Sequence, residues 1–98
     1  MKRIPPFKLA AAPLDHEAAN LEPFKWATGD VGQRHQLGGS PTFLQPTEWP
    51  ICKACNQRMT FYGQLDSIND DFCIADCGVV FVFICFDCNE ALAMLQSG

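Results

Sequence analysis

Positive charge ends early in this chain: no Lys or Arg follows Arg58, while the stretch from Met59 to Gly98 holds six acids. With a net charge of −4 and an isoelectric point near 4.8, the chain has the wrong sign for tracking a phosphate backbone, which argues against general nucleic-acid binding. Histidine is scarce as well. Only His16 and His35 occur, and neither has a paired Cys or Asp at a spacing diagnostic of a metal or catalytic site. Leu14-Asp15-His16-Glu17 begins like a His-Glu-x-x-His metalloprotease motif but places Asn20 where the second histidine is required. His35, between Arg34 and Gln36, reads as an exposed loop residue. No P-loop, Gly-x-Gly-x-x-Gly or Gly-x-Ser-x-Gly pattern is present. The acidic cluster Asp66, Asp70, Asp71 and Asp76 lacks the glycine and terminal glutamate of a calcium loop. No apolar run approaches the roughly 18 residues of a membrane-spanning helix. The longest, Val79 to Phe86, has the length of a strand.

What remains is a chain of 98 residues, 48% hydrophobic and 11% aromatic, which corresponds to a single domain over 1–98. A domain of this size buries only roughly 60–70% of its unfolded surface, so a cross-link or metal adds appreciably to its stability. Six cysteines supply the means. The basic start at Lys2 and Arg3 resembles a signal peptide, but Pro5, Pro6 and Lys8 interrupt the apolar stretch such a signal needs. The reading is a cytoplasmic protein, in which cysteines act as metal ligands or buried thiols rather than as disulfides.

Composition changes abruptly at Pro50-Ile51. All seven prolines precede that point and all six cysteines follow it. Residues 1–50 carry five acidic and five basic side chains, so the whole net charge belongs to the second half. The first half predicts one short helical stretch, Leu14 to Leu21, capped by Asp15 and stopped before Pro23. Thr42 to Gln45, between two prolines, reads as a short edge strand. In the second half, Met59 to Leu65 alternates as a half-buried strand, interrupted by Gly63, with Met59, Phe61 and Leu65 on one face and Thr60, Tyr62 and Gln64 on the other. Val79 to Ile84 is β-branched and aromatic throughout, predicting a central strand covered on both faces.

Cys52-Lys53-Ala54-Cys55-Asn56 and Cys85-Phe86-Asp87-Cys88-Asn89 repeat one pattern. Two residues between thiolates let one tight turn present both sulfurs to a single Zn²⁺ at about 2.3 Å, and two such turns complete a closed tetrahedral site. The residue after each second cysteine tends to be left-handed, which Asn tolerates. Cys52, Cys55, Cys85 and Cys88 are therefore the preferred ligands. A competing set replaces the last two with Cys73 and Cys77, whose spacer from Cys55 falls in the usual zinc range. In the preferred reading Cys73 and Cys77 are small core-filling thiols. A knuckle joins antiparallel strands, so a return strand is predicted over Ala91 to Gln96 against that segment's helix propensity. The fold class is thus mainly β. A small antiparallel sheet runs into a four-cysteine zinc ribbon over 35–98, and the proline-rich segment 1–34 is irregular with at most a short helix.

The order of His35 to Gln45, Cys52 to Cys55, Met59 to Asp66 and Asp76 to Cys85 resembles the C-terminal core of the YwqG-like family of bacterial proteins. The resemblance implies a zinc ribbon on the paired cysteines and no established enzymatic activity. Because some members are encoded beside secreted toxins, it also implies an immunity protein that neutralises a toxin by direct binding. The acidic second half suits a basic toxin, with Asp66, Asp70, Asp71 and Glu90 as the candidate rim acids. A general zinc-stabilised adaptor and a nucleic-acid-binding zinc ribbon are the alternatives.

Overall fold

The computed structural model describes residues 1–27 and 29–98. Its elements are β1 (Phe7–Lys8), α1 (His16–Ala19), β2 (Gln36–Leu37), β3 (Thr60–Asp66), β4 (Val79–Cys85) and β5 (Glu90–Gln96). The strands form one open sheet in sequence order, each antiparallel to the next. The mainly β class is as predicted, and the first half is irregular apart from α1 and the two shortest strands. In α1, Asp15 accepts the Ala18 N–H at 2.9 Å.

The sheet is built around β4. Its alternation buries Val79, Phe81, Phe83 and Cys85 on one side and leaves Val80, Val82 and Ile84 half-buried on the other. Full cover of both faces, as expected from composition, is therefore met on one face alone. That face is covered by the coil from Thr42 to Trp49: the Phe43 ring lies 5.1 Å from Phe81, and Trp49 meets Phe83 edge-on at 5.3 Å. Such aromatic pairs add about 0.5–1.5 kcal/mol each beyond the area they bury. Strand β5 forms as predicted, because the turn after Cys85 delivers the chain alongside β4 in unbroken register from Cys85–Glu90 to Val79–Gln96.

Four local expectations fail for identifiable reasons. Thr42 to Gln45 is coil, not an edge strand. Its amides are satisfied by side chains: Thr42 N–H donates to Gln64 Oε1 at 3.1 Å, and Leu44 and Gln45 N–H donate to Gln96 Oε1 at 2.7 and 3.1 Å. The sheet edge is taken instead by β1, pairing with β2.

In β3 the register slips between Phe61 and Gly63, so Tyr62 bulges out and every later residue changes face. Leu65 is consequently 52% exposed, while Gln64 and Asp66 turn inward opposite Phe81 and Val79. The bulge needs glycine, because a Cβ at Gly63 would lie 2.7 Å from the Gln36 carbonyl oxygen.

Asp66 is thereby removed from the surface where a rim acid was expected. It is 3% exposed and bound by the Arg34 guanidinium at 2.7 and 2.9 Å, and by the N–H groups of Gly32, Arg34 and Ser67. His35 is half-buried rather than exposed, since β2–β3 pairing sets its Nδ1 to accept the Asp66 N–H at 3.0 Å.

Burial pushes the Asp66 carboxyl up, but the Arg34 side chain and the three N–H donors outweigh it and hold the acid below the usual carboxylate range. Removing one partner of a buried ion pair costs about 3–5 kcal/mol, so Asp66→Asn should lower urea stability by that order at neutral pH. A depressed folded pKa gives stability that is full above the unfolded value of about 3.9 and lost as pH falls through the folded value. The gap between wild type and Asp66→Asn should therefore close only below about pH 4. A gap constant down to strong acid would contradict the assignment.

Candidate metal centre

Both cysteine pairs sit in knuckle turns, and each turn is closed by its own backbone. In the first, an isolated bridge pairs Ile51 with Arg58, Cys52 N–H donates to Gln57 O at 2.8 Å, and Asn56 N–H donates to Cys52 O at 2.8 Å. In the second, the Cys85–Glu90 pair ends the β4–β5 ladder. Asn56 and Asn89, the residues after each second cysteine, have φ of 58° and 57°. Both adopt the left-handed conformation the repeat predicts, where Asn costs less than most side chains.

The first knuckle is fastened to the sheet by Trp49, whose Nε1–H donates to Met59 O at 2.7 Å, and by the Met59 N–H to Pro50 O bond at 3.0 Å. Cys52 and Cys85 are buried in the same cluster as Met59, Phe61 and Phe83, while Cys55 and Cys88 close the cluster from outside. The four Sγ atoms lie within 4.8 Å of one another, with Cys55 Sγ and Cys85 Sγ 3.7 Å apart. Tetrahedral zinc thiolate with bonds of about 2.3 Å places its sulfurs about 3.8 Å from each other. The donor set therefore fits a tetrahedral thiophilic ion such as Zn²⁺.

Electrostatics at this spacing favour a cation. The Cys55 and Ala54 N–H groups point at Cys52 Sγ and lower its pKa. Cys88 is pushed up to about 12, first by its contact with the Cys55 thiol and then by burial and the remaining sulfurs. Four thiolates cannot share so small a volume unless a divalent ion offsets their charge.

The competing set does not assemble. Cys73 and Cys77 precede β4, whereas Cys85 ends it, and a strand of seven residues spans about 20 Å or more. Nor do they fill the core as predicted. Both are half-buried in the loop of residues 67–78, where the Cys77 N–H donates to Cys73 Sγ at 3.0 Å. That loop is pinned by Ser67, which donates to Gly78 O and accepts the Ile74 N–H, both at 2.9 Å.

The residues missed in sequence are the buried polar ones. Gln64 donates to Arg34 O and Thr42 Oγ1, and Gln96 donates to Thr47 Oγ1, so that two amide side chains hold the covering coil against the sheet. No local pattern announces them, because each acts on a segment more than twenty residues away.

No protein-family model matches the chain, and no solved structure matches it. Over 63 residues, 62% of the chain, it is 35% identical to the uncharacterized protein YpfL of Salmonella typhimurium strain LT2. The chain spans 14% of that relative's length. Among the described residues no helix is long and apolar enough to cross a membrane.

Structural zinc contributes on the order of 10 kcal/mol to folding in small domains, comparable to a domain's entire stability. Freshly purified protein should carry one zinc per chain by elemental analysis, and Cys85→Ser should be largely unfolded. Cys73→Ser should keep both its zinc and its fold. Equal loss in the two variants would reinstate the competing set.

Proposed function

We propose that the chain is a YwqG-like, zinc-stabilised protein-interaction module without catalytic activity, and that it acts as an immunity protein by binding a basic bacterial toxin. The sulfur cluster carries the first part. Four protein thiolates fill a tetrahedral shell and leave no position for water or substrate, so the metal's role is to hold the two knuckles together.

The distribution of exposed groups supports the second part. The acids do not form one face. Asp70, Asp71 and Asp76 lie in the loop at one end of β4, while Asp87 and Glu90 lie in the knuckle at the other. At the loop end, Ile68 and Phe72 are 57% and 56% exposed beside Asp70 and Asp71. Apolar anchors ringed by charge of one sign are the composition of an interface that steers a cationic partner and then buries its centre. The loop is held for that purpose: Asn69 donates to Glu22 O and accepts the Phe72 N–H, and Asp70 accepts the Lys25 N–H at 2.9 Å.

The test is binding to an inactivated basic bacterial toxin, measured kinetically at low and high salt. Replacing Asp70 and Asp71 with Asn should slow association and flatten its salt dependence. Phe72→Ala should instead raise the dissociation rate about tenfold or more. Unchanged kinetics in both variants would remove the interface from this end. Retention of several unrelated proteins would favour a general adaptor, and salt-sensitive binding of DNA or RNA a nucleic-acid ribbon.

A further inference from the structure

The sheet treats its two edges differently. At one edge, β1 is two residues long, follows Pro5 and Pro6, and includes Lys8. Short length, proline and lysine are the devices by which an edge is protected from pairing with another chain. At the other edge β5 has none of them. It is seven residues long, has no bulge against β4, contains no proline or lysine, and among the described residues has no second neighbour in the sheet. A strand of that length presents about 24 Å of backbone with one row of N–H and C=O groups facing out.

The side chains of β5 fit a copy of themselves. In an antiparallel pairing about a two-fold axis through Ala93, Ala93 meets Ala93 of the second copy, Leu92 meets Met94, Ala91 meets Leu95 and Glu90 meets Gln96. The strand's one charge lies at its end and opposite a neutral amide, far from its own symmetry mate. The pairing also continues an apolar surface. Ala91, Ala93 and Leu95 share the outer face with Val80 and Val82 of β4, and Leu95 is 57% exposed.

We propose that β5 is a homodimerisation edge, and that two copies join through antiparallel β5–β5 pairing centred on Ala93 to make one continuous sheet. An edge contact of this length is a small interface, so the dimer should dissociate on dilution in the micromolar range. The inference is independent of the toxin-binding reading, because the loop bearing Asp70 and Phe72 is a different surface.

The experiment is sedimentation equilibrium of the zinc-loaded wild type with Ala93→Lys and Ala93→Glu, each checked for metal content and circular dichroism. Ala93 is exposed, so either side chain is accommodated in the monomer. Across the axis the same charge is brought to about 5 Å from itself. Each variant alone should be at least about tenfold weaker as a dimer, and an equimolar mixture of the two should regain dimer through the Lys–Glu pair. A wild type that stays monomeric into the millimolar range would overturn the proposal. So would dimerisation indifferent to both substitutions, or a mixture no stronger than its parts.

Discussion

The structure depends on the convergence of four sulfurs from two segments that have no strand pairing with each other. Cys52 and Cys55 belong to a turn closed on itself by the Ile51–Arg58 bridge and fastened to the sheet through Trp49 and Met59. Cys85 and Cys88 end the longest hairpin. Because Cys52 and Cys85 are also members of the apolar core, the centre is a corner of the core rather than an attachment to it. The same coil, continuing back through Phe43, supplies aromatic cover for Phe81 and Phe83. Release of the knuckle would therefore loosen the lid of the core as well.

One face of a sheet covered by coil leaves many backbone groups to be satisfied, and the chain answers with buried side chains in place of a second sheet. Gln64 and Gln96 take the amides of Thr42, Leu44 and Gln45, and Asp66 takes those of Gly32, Arg34 and Ser67. Each is a polar residue at an inward position of a strand, where it costs free energy unless fully bonded. No buried side-chain nitrogen or oxygen among the described residues lacks a partner. Irregularity in the first half is thus compatible with a defined conformation, since the constraints come from the strands below.

Legibility in the sequence follows the range of the interactions involved. The knuckles could be read because their determinants lie within five residues: two thiols at fixed spacing and an Asn in the left-handed region. The β5 strand could be read from the second knuckle although Ala91 to Leu95 favours helix. Long-range constraints left no such mark. Gly63 marks an interruption in the alternation from Met59 through Leu65, but nothing local shows that the bulge at Tyr62 and Gly63 reverses the faces of the residues after it. Asp66 then looked like one more surface acid, when its partner Arg34 stands thirty-two residues away. Thr42 to Gln45 carried a strand's composition, and two glutamines removed its need for a neighbouring strand.

The placement of the ligands along the chain also orders assembly. Strands β4 and β5 are joined by only the four residues between Cys85 and Glu90, and hairpins of that kind form in about 1–10 μs. Cys55 and Cys85 are thirty residues apart, and closing so long a loop has an entropic cost that grows with its length. The hairpin alone brings Cys85 and Cys88 together as a two-thiol half-site, and the larger entropic cost falls on bringing in the distant Cys52–Cys55 turn. A thiophilic ion bound by the four sulfurs would therefore tie the seating of the coil over Phe81 and Phe83 to the closing of that loop.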